Sequence, residues 1–277
     1  MMKRITKILA LVLALSMALA SCGSKENNAG GSDDGNKDTS LEYVMSNKKL
    51  ILGLDASFPP MGFKDNDNNI VGFDIDLAKE VCKRMGIELV LQPIDWNSKE
   101  LELKNKNIDC IWNGLSYSED RNKSMTLSQS YMGNTQVGVV LADSTINSLK
   151  DLAGKTVAVQ NGSTASDAME AQKEITSSLK EMLKVADNVQ AMMDLEIGGS
   201  DAVVMDEVVA RYYMEKNAGK YKLLSDSLAE EKYVIGFRKG DDALCAEVEK
   251  QLKAMKEDGT LAKISTTWFG SDVTTIQ

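Results

Sequence analysis

Asp109-Cys110-Ile111-Trp112-Asn113-Gly114-Leu115-Ser116-Tyr117-Ser118-Glu119-Asp120-Arg121 opens on an acid, runs apolar, breaks into Gly and hydroxyl residues and ends on a guanidinium. Ile and Trp favour extended chain and Asn-Gly continues it poorly, so the pattern predicts a strand delivering a polar loop over Asn113 to Ser116. Backbone amides that leave the ladder there need other acceptors, and an anion would supply them. Arg121, expected on an exposed loop, carries five donors in a planar fork that matches a carboxylate. Charge-assisted bonds of that kind contribute about 1.5–3 kcal/mol each. A surface turn followed by a solvated arginine fits the same residues equally well.

Working outward toward the N-terminus, Lys49 to Asp55 is a short apolar strand that stops at Ala56-Ser57-Phe58-Pro59-Pro60, where paired prolines forbid helix and central strand. Val71-Gly72-Phe73 then leads to Asp74, the expected N-cap of a helix with Ile75, Ala78, Val81, Cys82 and Met85 on one face and Gly86 at its end. Glu88 to Gln92 reads as a strand, and Asp95-Trp96-Asn97-Ser98 starts a helix carrying Leu101 and Leu103. Strands alternating with helices predict an α/β fold with parallel sheets, whose ligand crevices lie beyond the carboxyl ends of the strands. Phe58 and the Asn113 to Ser116 loop both fall there.

Downstream, Gln136 to Leu141 is extended and a second unit follows. Thr156-Val157-Ala158-Val159-Gln160 empties into Asn161-Gly162-Ser163-Thr164, a strand ending in a Gly and hydroxyl loop before a helix. Such a loop offers free N–H groups and the positive end of the helix dipole to an anion; an ordinary strand–helix turn has the same sequence. Val189, Met192, Met193 and Ile197 suggest a helix ending at Gly198-Gly199. Asp201 to Asp206 reads as a buried strand with an acid at its end, where Asp206 either caps the helix Glu207 to Asn217 or faces a ligand's cation. Tyr233 to Phe237 is strand-like, and helices over Asp241 to Gly259 and Thr260 to Phe269 follow.

The N-terminus carries Lys3, Arg4 and Lys7, an apolar run from Ile8 to Ala20, and Ser21-Cys22-Gly23. This is the pattern of a secretory signal over 1–21, its apolar run shorter than the roughly 20 residues that span a bilayer. Leu19-Ala20-Ser21-Cys22 resembles the bacterial lipobox, which implies a diacylglyceryl-modified Cys22 as the mature N-terminus. Residues 22–40 are rich in Gly, Ser, Asn, Asp and Lys and read as a flexible linker. The formal charge is −9 and falls further once the leader's cations are removed, so nucleic acid is not an expected partner. Cys82, Cys110 and Cys245 lack metal-ligand spacing, and buried free thiols are expected. The chain contains no histidine, which excludes Ser-His-Asp and Cys-His catalysis and imidazole-bound zinc. No pattern implies a metal or another cofactor.

Val71-Gly72-Phe73-Asp74-Ile75-Asp76-Leu77-Ala78, Ile108-Asp109 running to Asp120-Arg121, Leu152-Ala153-Gly154-Lys155-Thr156-Val157 and Asp201 to Asp206 resemble successive motifs of the polar amino-acid solute-binding lipoproteins of ABC importers. The resemblance implies the type II periplasmic-binding fold: two α/β lobes joined by two crossover strands, with lobe 1 formed by 41–139 plus 233–277 and lobe 2 by 140–232. Carried over by position, it implies Arg121 for a ligand's α-carboxylate with help from Ser116 and Thr164. Asp206, the Gly114 carbonyl and the Ser116 hydroxyl would take the α-ammonium. Phe58 and Trp96 would form the walls, with Asp55, Asn113 and Gln160 at the side-chain end and Ser163 in the second loop. Phe58 replaces the usual Tyr, Met61 stands where a Phe is usual, and Trp112-Asn113-Gly114 is similar to a subgroup that includes cystine binders.

The resemblance implies a monomer held by its lipid on the extracytoplasmic face of the cell membrane. It would deliver cystine, glutamine or a basic amino acid to a permease and its ATPase. The competing expectation is an exported enzyme on the same fold, of the prephenate or arogenate dehydratase kind. A sensor ectodomain would need a following membrane span or signalling domain, and the sequence up to Gln277 carries neither.

Overall fold

Strands with apolar side chains on both faces must be covered on both faces, and this chain covers them with helices. The structure, a computed structural model, describes residues 37–277. The segment 1–21, Cys22 and most of the linker 22–40 lie outside the described residues. Ser40, expected in the linker, is instead the first residue of α1 (Ser40–Asn47), and its hydroxyl accepts the Leu244 N–H.

In chain order follow β1 (Lys49–Leu54), β2 (Ser57–Phe58), β3 (Gly62–Lys64), β4 (Ile70–Val71), α2 (Phe73–Met85), β5 (Glu88–Pro93), a 3₁₀ turn at Trp96–Ser98 and α3 (Lys99–Lys104). Next come β6 (Cys110–Ser116), α4 (Glu119–Ser124), β7 (Met125–Leu127), β8 (Met132–Leu141), a 3₁₀ turn at Leu149–Leu152, β9 (Thr156–Gln160), α5 (Thr164–Ala171) and α6 (Lys173–Ser178). The chain continues with β10 (Glu181–Val185), α7 (Asn188–Glu196), β11 (Ala202–Asp206), α8 (Glu207–Lys216), β12 (Tyr221–Arg238), α9 (Asp242–Glu257) and α10 (Thr260–Phe269).

The main sheet has nine strands in the order β10-β9-β11-β8-β12-β6-β1-β5, with β7 pairing to β12 beside that path. On one side β5, β1 and β6 are parallel; on the other, β10, β9 and β11 are parallel. The antiparallel pair β8 and β12 runs between them. β12 pairs with β8 from Tyr221 to Tyr233 and with β6 and β7 from Tyr233 to Arg238, so it serves both sides. Its N-terminal part, β10 and the small β2-β3-β4 sheet are not legible in the residue pattern.

Three local readings are corrected. Gly72, with φ of 146°, takes the N-cap position of α2, and Asp74 lies one residue inside the helix with its side chain fully buried. Asn113 to Ser116 is not a loop: β6 runs on to Ser116, because Leu115 and Ser116 pair with Val234 and Tyr233. Gly114, at φ of 61°, is accommodated beside a register shift in β12. Apolar spacing also misassigned exposure: Leu101, Met193 and Ile197 are 57%, 61% and 82% exposed, while Leu103 and Met192 are buried. Cys82, Cys110 and Cys245 are free and buried, and burial pushes Cys82 and Cys245 up to about 12.

Candidate functional site

The carboxyl ends of β1, β6, β9 and β11 converge on the crossing strands, and the sequence-derived site residues are gathered there. Asp55, just past β1, donates its backbone N–H to Asn113 Oδ1 at 3.0 Å, while its carboxylate accepts from Ser57 N at 2.9 Å and Gln160 Nε2 at 2.7 Å. Burial pushes the Asp55 carboxyl up to about 6, the Gln160 amide offsetting only part of the cost. Phe58 packs against Gly114 so tightly that a Cβ there would stand 2.7 Å from Phe58 Cε1. The Gly114 N–H, expected to be free for an anion, is given to Asp74 Oδ2 at 2.8 Å. Tyr131 donates its hydroxyl to the same oxygen at 2.9 Å, so Asp74 anchors the backbone of the site from inside the core.

Arg121 was expected on an exposed loop. It lies in α4, only 6% exposed, because Ser118 caps that helix by accepting the Arg121 N–H and turns the side chain inward. Its Nη1 donates to Ser116 O at 2.7 Å and its Nη2 to Gly162 O at 3.4 Å. A second buried cation, Lys99, reaches the same Gly162 oxygen at 2.9 Å and Trp96 O at 3.1 Å, its ammonium 5.1 Å from the centre of the Trp96 ring. Burial and then the Arg121 charge pull Lys99 down to about 8.

Asp206, at the end of β11, makes no side-chain cap on α8. Its Oδ1 accepts from Asn134 Nδ2 at 2.6 Å, Gln136 Nε2 at 2.9 Å and the Tyr233 hydroxyl at 2.8 Å. Glu231 stands beside it, its Oε2 accepting from Ser116 Oγ at 2.6 Å, Asn134 Nδ2 at 3.1 Å and Gln136 Nε2 at 2.9 Å. Burial, with the Glu231 charge added, pushes Asp206 up to about 7.

Ser163 caps α5: its hydroxyl accepts the Ser166 N–H and donates to Gln160 O. Thr164 Oγ1 accepts from Gln136 Nε2 at 3.4 Å. Lys99, Asn134, Gln136, Glu231 and Tyr233 were not singled out in the sequence. A signal existed for four of them: Asn134 and Gln136, and likewise Glu231 and Tyr233, stand two apart on strands and so share a face.

Residues 50–271 match the family described as bacterial extracellular solute-binding proteins, family 3. The chain belongs to that family. The arginine-binding extracellular protein ArtP of Bacillus subtilis is 34% identical over 95% of this chain and 96% of its own length. The L-cystine-binding protein TcyA of the same organism is 30% identical over 96% of this chain and 98% of its own length. Among solved structures, an ABC uptake transporter substrate-binding protein from Streptococcus pneumoniae with bound histidine superposes with a TM-score of 0.83. It is 37% identical to this chain and covered over 86% of this chain and 98% of its own. This family 3 protein therefore has the type II periplasmic-binding fold, works outside the cytoplasm and is a solute-binding protein, as its relatives are named.

Proposed function

We infer that this protein captures one polar amino acid between two lobes and delivers it to an ABC permease. The observation that carries the reading is the place of Ser116: its carbonyl accepts from the Arg121 guanidinium and its hydroxyl donates to Glu231, beside Asp206. A buried cation and a pair of carboxylates, Asp206 buried and Glu231 half-buried, thus stand on either side of one residue. An α-amino acid carries a carboxylate and an ammonium on one carbon, so a zwitterion placed there would offset the desolvation of both ends.

In this reading Arg121, with Ser116 and Thr164, takes the α-carboxylate, and Asp206, with the Gly114 carbonyl and Ser116, takes the α-ammonium. Phe58 and Trp96 flank the ligand's stem, and Asp55, Asn113 and Gln160 face its side chain. Ser163 supports the second loop through its cap. Lobe 1 comprises 41–139 plus 233–277 and lobe 2 comprises 140–232, a division supported by the two parallel strand groups on either side of β8 and β12. Residues 1–21 act as the export signal, and acylated Cys22 tethers the protein to the membrane beside its permease and ATPase. Asp55 favours a side chain that donates hydrogen bonds or carries positive charge, so the candidates are arginine and other basic amino acids, glutamine and cystine. Relatives named for arginine and cystine support that range.

A thermal-shift screen of the twenty amino acids and cystine tests this, since a ligand that binds only the native state raises apparent stability. A dominant shift from one of the candidates is expected. A dominant shift from aspartate, glutamate or leucine would overturn the side-chain assignment, and no shift from any would overturn the function.

A further inference from the structure

The acid end of the site holds more acceptors than one counter-ion requires. The amide nitrogens of Asn134 and Gln136 both point at Asp206 and Glu231, which fixes their orientation and leaves Asn134 Oδ1 and Gln136 Oε1 turned the other way. Those two oxygens are buried without a donor among the described residues, and Gln136 is 0% exposed. Facing away from the carboxylates, they do not address a group bound between Asp206 and Glu231. The Ser116 hydroxyl has a single hydrogen and gives it to Glu231, so toward a bound molecule that hydroxyl offers only lone pairs. The donors at this end, on Asn134, Gln136 and Tyr233, are already given to the two carboxylates, and what is left to offer a bound group is acceptors. Its complement is a cation with several N–H donors.

We propose that Glu231 is a second ammonium-binding carboxylate, forming with Asp206 an acceptor-only subsite for the α-ammonium of the captured amino acid. The inference rests on the amino-acid-binding reading above. Glu231 lies on β12, which pairs with strands on both sides of the sheet, so recognition of the ammonium is built into a crossing strand as well as into β11.

Asp206 is faced by Glu231 and Tyr233 from β12, by the neutral amides of β8 and, more distantly, by Arg121 from α4. With Asp206 pushed up to about 7, its carboxyl is partly protonated in the free protein at neutral pH. An arriving ammonium favours the ionised form of Asp206, and the proton passes to the buffer. Release near pH 7 should be on the order of half a proton per ligand.

Calorimetry near pH 7 in phosphate and in Tris, buffers of different ionisation enthalpy, measures that release with L-arginine, L-glutamine and L-cystine as probes. The deaminated analogues of arginine and glutamine serve as controls. The wild type should release protons on binding. Glu231→Gln should fold, bind the amino acid at least about ten-fold more weakly, as loss of one charge-assisted bond predicts, and release fewer protons. Its affinity for the deaminated analogue should not change. Equal weakening for amino acid and analogue would make Glu231 a structural residue and overturn the proposal, as would a wild type that binds without proton release. Binding of none of the probes by wild type would overturn the amino-acid reading itself.

Discussion

Gln160 Nε2 donates to Asp55 Oδ2 at 2.7 Å, and this bond ties the carboxyl end of β9 to that of β1, strands on opposite sides of the crossing pair. Lys99 and Arg121 add two more ties, both to the Gly162 carbonyl. The two sides therefore meet at the site through polar bonds. Gln160→Leu leaves the Asp55 carboxylate buried with one donor fewer, a loss of about 1–3 kcal/mol that falls on the arrangement in which the two sides touch. Small-angle scattering on the ligand-free variant should show a larger radius of gyration than wild type. An identical profile would mean that this bond does not hold the sides together.

Stability of the ligand-free protein should fall as pH rises from about 4 to about 7. Asp55 is pushed up to about 6 and Asp74 and Asp206 to about 7, all mainly by burial. An unfolded Asp titrates near 3.9, so across that window the folded state binds more protons than the unfolded one and the slope of stability against pH is negative. Asp258, held at about 2 chiefly by its hydrogen bonds to Thr260, gives up its contribution only below that window, and Lys99, at about 8, regains stability only above it. Urea unfolding near pH 5 and near pH 7.5 checks this sign, and greater stability at the higher pH would contradict it. Saturating ligand should flatten the dependence, because its ammonium removes the penalty on ionised Asp206.

The strand–helix alternation and the cap at Gly86 were legible because each follows from local chemistry, whereas the gathering of Phe58, Arg121, Gln160 and Asp206 was implied by the family resemblance. What was not legible depends on partners distant in sequence. Asn113-Gly114 carries a turn signal, yet the strand continues because Val234 and Tyr233 arrive to pair with Leu115 and Ser116. Asp74 has the composition of an N-cap, but the Gly114 amide and the Tyr131 hydroxyl claim its carboxylate from inside the core. Helical spacing likewise marks one face of α7 without saying what covers it, and Met193 and Ile197 lie on its open side. Glu231 shares a strand face with Tyr233, but nothing in the residues around it predicts that Ser116 and Asp206 come beside it.

Gly114→Ala should damage binding and stability together. The φ of 61° is strained for alanine, and the new Cβ would meet Phe58 Cε1 at 2.7 Å and Tyr233 at 3.2 Å. Backbone strain of that kind costs on the order of 1–3 kcal/mol, and relief requires moving Phe58 away from the stem of the ligand. Calorimetry on the folded variant is expected to show weaker amino-acid binding. Wild-type affinity would mean that Phe58 does not line the ligand.

The last prediction separates the two buried cations. Arg121 bonds the Ser116 carbonyl and still holds donors in a planar fork, whereas Lys99 has a point charge already shared between the carbonyls of Trp96 and Gly162. If Arg121 grips the carboxylate and Lys99 only ties the two sides, their conservative variants should differ in kind. Arg121→Lys keeps the charge but loses the fork, and should weaken amino-acid binding at least about ten-fold through lost charge-assisted bonds. Lys99→Arg keeps a donor for Gly162 and should bind nearly as wild type. Lys99→Met removes the tie and should weaken an amino acid and its decarboxylated analogue by the same factor, while Arg121→Lys weakens only the amino acid. A selective loss in Lys99→Met would instead place Lys99 on the ligand carboxylate and reduce Arg121 to the role of a tie.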